Sequence, residues 1–335
     1  MRNEHGGVAE TERRQERGGG RDWELLVGRG TDGCGEGSTA AHHAPACAAA
    51  ACSQWQQQPE PRRRARRGSE RTAMVLSAGD GEADLLAKWM IVAAVGTLGA
   101  CSAVAPPYGR YSRAVMFGIR FPLLDAKLGW ILMECPNVLI SLWFLLYGSD
   151  EACLKSPANL ALLSMFVLHY VNRSFVFPFR TRGGRPMPVP MMLFGALFVS
   201  INSYLQCTHL LRSRVYPNSW FVDPRFIIGA ATFSAGMFIN CQSDGILRRL
   251  RGPGETGYKI PEGGMFAYVS GANYFGECVE WIGFAIAGWS LPSTAFALYT
   301  LSNLAPRARK HHLWYLEKFR EGYPAGRKAL VPFVW

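Results

Sequence analysis

Long apolar runs, separated by short polar connections, fill the chain from about residue 85 to its end. Seven of these runs approach or exceed the roughly 17 residues that a helix needs to cross a bilayer. They cover residues 85–105, 128–147, 159–177, 188–211, 225–242, 272–289 and 292–306. The runs are too long for buried strands and show no alternating period, so they predict helices and not a β-barrel. We expect an all-α, polytopic membrane protein with seven transmembrane helices.

The charges of the connections predict how these helices are oriented. The connections after the first, third, fifth and seventh runs are basic, as Arg110 and Arg113 illustrate for the first of them. The connection after the second run carries Asp150 and Glu151 instead. Because basic connections stay in the cytosol, this alternation predicts a lumenal amino terminus and a cytosolic carboxyl terminus.

The first part of the chain has a different composition. Residues 1–82 are rich in Gly, Ala, Arg, Gln and Glu and show no sustained apolar periodicity. Such a segment buries too little surface to offset its ordering entropy, so we expect a disordered, low-complexity extension. Met74 opens a more natural start just before the first apolar run, and we expect the upstream residues to be dispensable or not native. Residues 83–335 then form the membrane domain.

The net charge of +11 does not by itself indicate a nucleic-acid partner. Its basic residues include the run Arg62–Arg67 and the flanks of apolar runs, where they face solvent or lipid headgroups. The nine cysteines form no C-x-x-C pair, and several lie in apolar runs as small hydrophobic residues. We therefore expect no disulfide framework, no metal site and no nucleic-acid partner, only membrane lipids around the helices.

Polar side chains inside the apolar runs point to a site within the membrane. Glu134 lies near the middle of the second run, where a carboxylate costs several kcal/mol unless it faces protein or water. Other polar residues recur in later runs. They are His169, Tyr170, Arg173, Asn240, Asp244, Asn273, Glu277 and Glu280. Asn240 and Asp244 are one helical turn apart, as are Asn273 and Glu277, so each pair is able to face one site.

Several motifs of the carboxyl third occur together and in a fixed order. They are NCQSD (240–244), YVSGANYFGECVEWIGF (268–284), LAPRARKHHLWYLEKF (304–319) and RKALVPFVW (327–335). The chain from about residue 89 to its end closely resembles the steroid 5-alpha-reductase family. The phrases SNLAPRAR and RKALVPFVW are most similar to the plant members of brassinosteroid synthesis. This resemblance implies an enzyme of the endoplasmic-reticulum membrane, with a steroid that enters from the bilayer.

The resemblance also implies NADPH, held without a Rossmann fold. Amides and carboxylates suit its ribose and nicotinamide, and cations in cytosolic loops suit its phosphates. The cofactor-binding residues expected on this basis are Arg185, Asn240, Asp244, Arg251, Tyr258, Lys259, Asn273, Glu277, Arg307, His311 and Tyr315. Lys259 stands where some members have arginine, which keeps the charge but loses the bidentate fork.

Glu134 and Tyr170 match the catalytic pair of the family. A phenol beside a carboxyl group is able to donate a hydrogen bond to the 3-oxo group of a Δ4 steroid as negative charge develops there. We therefore expect reduction of the C4–C5 double bond, with hydride added at C5. Asn172 replaces a histidine of some members, so the support of Tyr170 from its own helix is open.

Other functions are compatible with parts of this pattern. Related reductases act on enoyl thioesters or polyprenols, and some membrane methyltransferases have a similar carboxyl region. Glu134, Asp244 and Glu277 are also the residue types that a proton-coupled transporter uses as relays. Asp244 has a simple structural alternative as well, namely an ion pair with Arg248 one turn further on.

Overall fold

The structure, a computed structural model, describes residues 81–335 except residues 117, 182, 251, 253, 254 and 256. Residues 1–80 of the predicted extension, including the start expected at Met74, therefore lie outside the described residues. In the described part the chain is predominantly helical, as the apolar runs predicted.

The helices follow one another along the chain with few strands between them. They are α1 (Gly81–Ala103), α2 (Ala126–Trp143), α3 (Glu151–Leu154), α4 (Pro157–Val171), α5 (Phe177–Arg180), α6 (Val189–Thr208), α7 (Pro224–Arg249), α8 (Ala272–Gly288) and α9 (Leu291–Phe319). Wide π-helical turns continue α2 (Phe144–Gly148), α4 (Asn172–Val176) and α6 (His209–Ser213). Short 3-10 turns occupy Gly109–Tyr111, Asn218–Val222, Gly264–Ala267 and Arg320–Gly322. The strands are β1 (Val115–Met116), β2 (Ile119–Arg120), β3 (Leu123–Leu124) and β4 (Met187–Pro188).

Five of the described helical stretches are long and apolar enough to cross a membrane. They are Gly81–Ala103, Ala126–Gly148, Pro157–Arg180, Val189–Ser213 and Pro224–Arg249. Large apolar side chains on them point away from the protein, among them Val95, Leu139 and Leu197, which are 57–69% exposed. An apolar outer surface of this kind suits lipid, because lipid-facing side chains need no polar groups. The protein is therefore a polytopic membrane protein of the all-α class.

The last two predicted spans are helices, but their lengths differ from the prediction. The sixth, 272–289, corresponds to α8, which has 17 residues. The helical conformation is interrupted between α8 and α9. There Trp289 adopts φ 41°, and the Ser290 side chain accepts a hydrogen bond from the backbone N–H of Ser293. The seventh was predicted to end at residue 306, whereas α9 continues through Pro306 to Phe319. That α8 and α9 cross the membrane stays a prediction.

Helices α7 and α8 pack backbone against backbone through glycines on both. Gly229 and Gly236 lie seven residues apart on α7, and Gly276 and Gly283 have the same spacing on α8. A Cβ atom at Gly236 would lie 2.2 Å from the backbone nitrogen of Glu280, and one at Gly276 would lie 2.4 Å from that of Asn240. Small residues permit such close approach between membrane helices. The contact places the polar residues of α7 directly beside those of α8.

The basic connections meet at one end of the helices. Strand β3 pairs with β4 in antiparallel register, so that Leu124 lies opposite Met187 and the connection after α1 is joined to the one after α5. The Tyr111 hydroxyl donates to the backbone oxygen of Lys310, 3.2 Å away, which joins the same connection to α9. At the other end, the backbone N–H of Asp150 donates to the oxygen of Leu211. The basic connections therefore share one side, as their charges predicted, although the side of the membrane stays a prediction.

Candidate active site

A cleft of about 740 Å³ opens at the end of the molecule where the basic connections meet. This volume lies within the roughly 300 to 1,000 Å³ that is typical of small-molecule sites. Seven of the predicted cofactor-binding residues line it, namely Arg185, Asp244, Tyr258, Lys259, Asn273, His311 and Tyr315. The structure thus brings together residues that are separated by more than a hundred positions in the chain.

Asn240 and Glu277 lie behind this cleft and fix its inner wall. The Asn240 side-chain amide is 1% exposed and donates to the backbone oxygen of Asn273, 3.0 Å away. The same nitrogen lies 3.4 Å from Oε2 of Glu277. The close glycine contact between α7 and α8 makes these short distances possible. The two polar pairs that the sequence placed on separate helices form one network.

Arg173 is the centre of that network. Its guanidinium lies 3.0 Å from the Asp244 carboxylate and 3.4 Å from that of Glu277. Arg173 lies in the wide turn that continues α4, and it is held from the other side by Trp130, whose indole N–H donates to the Arg173 backbone oxygen. Asp244 therefore pairs with an arginine of another helix, and no direct ion pair of the described residues joins it to Arg248. A buried charge requires such partners, because an unpaired one costs several kcal/mol.

Glu134 and Tyr170 do not line the cleft; Tyr170 is buried and Glu134 is half-buried. The Glu134 carboxyl interacts electrostatically with Arg173 and Glu277, and also with Tyr170. Among the described residues, no hydrogen bond joins Glu134 directly to Tyr170. The Tyr170 ring packs against Phe166 at 4.8 Å and stacks on Trp281 at 5.8 Å between ring centroids. The aromatic contacts fix the phenol within the helical core, in the electrostatic environment of Glu134.

His169 and Glu280 form a second buried pair beside this couple. His169 Nδ1 lies 2.8 Å from Glu280 Oε1, and the two side chains are 3% and 0% exposed. The pair joins α4 to α8, and the His169 ring also meets Trp281 edge to face at 4.6 Å. Glu280 is thus a partner of His169 in the structure and does not line the cleft.

Arg307 lies near the cleft without lining it. Its guanidinium stacks over the Tyr108 ring at 4.5 Å and donates to the Tyr274 hydroxyl, 3.3 Å away. Burial raises the pKa of Tyr108 to about 12, so the Tyr108 hydroxyl stays protonated. Arg307 also interacts electrostatically with Glu277, which connects it to the Arg173 network.

His311 lines the cleft among aromatic rings. Tyr111 and Tyr274 lie 5.7 Å and 5.4 Å from its ring, measured between centroids. Burial, together with the positive charges of Arg110 and Arg307, lowers the pKa of His311 to about 3. The imidazole is therefore neutral at pH 7 and offers one donor and one acceptor to the cleft.

Arg185, Tyr258 and Lys259 line the cleft from connections between helices. Arg185 is exposed, and Lys259 donates to Glu255, 2.6 Å away, on the same loop. Tyr258 meets Trp314 edge to face at 4.9 Å. Arg251 lies outside the described residues.

The sequence analysis gave no role to two arginines of this site. Arg173 was named only as a polar residue in an apolar run. Because a charge in such a run requires partners of opposite charge, its position could have predicted an ion pair with carboxylates. Arg110 lines the cleft from the connection after α1, where its charge indicated only a cytosolic loop. Its contacts with Trp314 and Tyr315, about two hundred residues away, depend on tertiary structure.

The chain is similar in sequence to known proteins of one family. The family described as 3-oxo-5-alpha-steroid 4-dehydrogenase matches residues 185–335. The chain is 48% identical over 233 residues to 3-oxo-5-alpha-steroid 4-dehydrogenase 1 of Bos taurus, which covers 69% of this chain and 88% of that protein. It is 45% identical over 229 residues to the type 1 protein of Homo sapiens, covering 68% and 86%.

The type 2 proteins are similar as well. The chain is 43% identical over 255 residues to 3-oxo-5-alpha-steroid 4-dehydrogenase 2 of Sus scrofa, which covers 76% of this chain and 98% of that protein. Identity at this level over nearly the whole length of a relative establishes common descent and a common fold. The chain belongs to the 3-oxo-5-alpha-steroid 4-dehydrogenase family of enzymes, also called steroid 5-alpha-reductases.

Proposed function

We propose that this protein reduces the C4–C5 double bond of 3-oxo-Δ4 steroids with NADPH, in the membrane of the endoplasmic reticulum. One observation carries the proposal. Arg173 contacts two carboxylates at the inner end of the cleft, Asp244 and Glu277, and interacts electrostatically with Glu134. In our proposal, the polar cleft and the couple of Glu134 and Tyr170 are therefore adjoining parts of one site.

The cleft has the donors that a phosphorylated dinucleotide requires. Cationic side chains at its mouth include Arg110, Arg185 and Lys259, which suit phosphate oxygens. Further in, the Asn273 side chain and the neutral His311 offer hydrogen bonds to uncharged groups. We propose that the cofactor-binding residues predicted above hold NADPH here, with Asn240 and Glu277 supporting the inner wall.

The residues beyond Arg173 suit an enone. When bound, NADPH supplies the hydride that is added to C5 of the substrate. In our proposal, the Tyr170 hydroxyl donates a hydrogen bond to the 3-oxo oxygen, where negative charge develops. Glu134 orients the phenol, and the enolate that results takes up a proton from solvent at C4, which gives the saturated ketone. A general acid of this kind contributes about 10²- to 10⁴-fold to a rate.

The surroundings of Tyr170 are apolar and aromatic. Phe166, Trp281 and Phe296 form an aromatic cluster on this side of the core, with Trp281 and Phe296 only 4.5 Å apart between centroids. We propose that the steroid reaches this region laterally from the bilayer and that the cofactor enters from the cytosol. We further propose seven membrane helices, a lumenal amino terminus and a cytosolic position for the segment of residues 243–265. Labelling of single cysteines introduced into that segment would contradict the orientation if only lumenal reagent reacted.

An activity assay on the purified protein tests the proposed reaction. NADPH oxidation is measured with progesterone, campest-4-en-3-one and an enoyl-CoA, and the products are identified by mass spectrometry. We expect turnover of the steroids to 5-alpha products and none of the enoyl-CoA. Preference for campest-4-en-3-one would support the role in brassinosteroid synthesis that the sequence suggested. Turnover of the thioester alone would contradict the proposal, as would methyl transfer or proton transport without reduction.

A further inference from the structure

Arg110 reaches the cleft from an element far from the rest of the cofactor region. It lies in the 3-10 turn Gly109–Tyr111, in the connection after α1. Its guanidinium stacks over Trp314 at 3.8 Å and lies within 5 Å of the Tyr258 and Tyr315 rings, at 4.9 Å and 4.8 Å. Three aromatic rings therefore hold the planar cation at one edge of the cleft.

The hydrogen bonds of Arg110 are incomplete. Its Nη2 donates to the Tyr315 hydroxyl, 3.2 Å away. Its Nη1 is shielded from solvent and has no hydrogen-bond partner among the described residues. A buried donor without a partner costs about 1–3 kcal/mol, more when the group is charged. Such a donor at the wall of a cleft is able to donate a hydrogen bond to a bound ligand.

The charge of Arg110 is also uncompensated by a carboxylate. None of the ion pairs between described residues includes Arg110. By contrast, Lys259 on the same cleft is paired with Glu255. Arg185 and Arg248 line the cleft as well and add to its positive potential. A cation with an open donor in this environment is suited to a strongly charged oxyanion.

We propose that Arg110 binds a phosphate of the dinucleotide, so that the connection after α1 closes the cofactor cleft. The inference rests on the proposed function, because it assigns one residue to the NADPH of that site. Arginine suits this role, since its fork donates two parallel hydrogen bonds to phosphate oxygens. The aromatic rings fix the guanidinium before the phosphate arrives, which reduces the entropy lost on binding.

The test compares Arg110→Gln with Arg113→Gln in the purified full-length protein. Arg113 lies on the same connection but is exposed, so its replacement makes the same change in net charge away from the cleft. Affinity for NADPH and NADH is measured by energy transfer from tryptophan to the dihydronicotinamide. Because Trp314 itself stacks on Arg110, thermal stabilisation by 2′,5′-ADP is measured as a second readout.

We expect Arg110→Gln to weaken NADPH binding about 10- to 100-fold, the effect of losing a hydrogen bond to a charged group, and Arg113→Gln to leave it within about twofold. A loss for NADPH and 2′,5′-ADP but not NADH would identify the 2′-phosphate as the group bound. An equal loss for NADPH and NADH would identify the pyrophosphate. NADPH affinity of Arg110→Gln within about twofold of wild type would overturn the inference.

Two further comparisons separate the causes of failure. Arg110→Lys keeps the charge and the stacking stem but loses the fork, so we expect binding between that of wild type and Arg110→Gln. If Arg110→Gln fails to fold, wild-type affinity in Arg110→Lys would count against the inference. Wild-type protein that binds no NADPH would overturn the proposed function as well. Normal wild-type binding with an unaffected Arg110→Gln would overturn the Arg110 inference alone.

Discussion

The guanidinium of Arg173 lies 3.0 Å from the carboxylate of Asp244, and both side chains are less than a tenth exposed. Arg173 belongs to the wide turn that continues α4 and Asp244 belongs to α7, so this ion pair joins the helix of Tyr170 to a wall of the cleft. Breaking a buried pair by removing one partner costs about 3–5 kcal/mol, because the other charge is left without compensation. The contact therefore serves both the stability and the geometry of the site.

We predict that Arg173→Gln strongly lowers the thermal unfolding midpoint of the detergent-solubilised protein. The control is Arg225→Gln, because Arg225 pairs with Asp223 at 2.8 Å where both side chains are partly exposed. A pair of that kind contributes about 0–1 kcal/mol. Equal midpoints for the two variants would show that Arg173 does not form a buried ion pair in the folded state.

The close contact of α7 and α8 at their glycines predicts that an added methyl group there destabilises the protein. Gly236→Ala would place a Cβ atom 2.2 Å from the Glu280 backbone nitrogen, so the two helices must move apart. Overpacking of this kind costs about 1–3 kcal/mol, and here it also separates Asn240 from Glu277. We expect a lower unfolding midpoint and weaker NADPH binding, measured by thermal unfolding and by fluorescence titration.

Gly96→Ala is the matched control for that variant. Gly96 is also a helical glycine, in α1, but a Cβ atom there meets nothing within 4 Å. Because alanine favours a helix over glycine by about 1 kcal/mol, this variant should be unchanged or slightly more stable. Equal behaviour of Gly236→Ala and Gly96→Ala would contradict the close backbone contact of α7 and α8 at Gly236.

The neutral state of His311 predicts a pH dependence. The pKa of His311 is lowered by burial to about 3, against an ordinary value of about 6.5. Between these two values the unfolded chain binds more protons than the folded one, so the free energy of unfolding decreases as the pH falls from about 6.5 towards 3. We expect the unfolding midpoint to fall more steeply between pH 6.5 and 4.5 in wild type than in His311→Gln. Parallel curves for the two proteins would show that the fold does not disfavour the imidazolium.

The helices could be predicted from the sequence because apolar runs of about twenty residues have few other structures in a lipid environment. The run predicted at 188–211 corresponds to α6, Val189–Thr208, and its wide turn. The run predicted at 85–105 corresponds to α1, Gly81–Ala103. The end of α9 was missed because the apolar run stops before the basic residues Arg307, Arg309 and Lys310, whereas the helix continues through them to Phe319.

The site could be predicted only in part. Polar residues one turn apart indicated which faces of α7 and α8 carry it, and the family resemblance supplied their roles, which stay predictions. The wide turn Asn172–Val176, which contains Arg173, has no signal in the residue pattern. Likewise, the position of Arg110 over Trp314 depends on how a loop folds across another helix, and charge alone does not determine such a contact.

The proposed reaction depends on Tyr170, in the electrostatic environment of Glu134, as the hydrogen-bond donor to the steroid 3-oxo group. Tyr170→Phe and Glu134→Gln each remove one member of the couple with little change in volume. Tyr147→Phe provides a control, because Tyr147 is 78% exposed at the far end of the wide turn after α2. All three variants need NADPH affinity measured alongside catalysis, so that lost chemistry is distinguished from lost binding.

The most direct test is the single-turnover rate of steroid reduction by the preformed complex of enzyme and NADPH. We predict that Tyr170→Phe and Glu134→Gln slow this step about 10²- to 10⁴-fold while NADPH affinity stays within about twofold of wild type. Tyr147→Phe should react at the wild-type rate. A single-turnover rate equal to that of wild type in both Tyr170→Phe and Glu134→Gln would contradict the proposed mechanism.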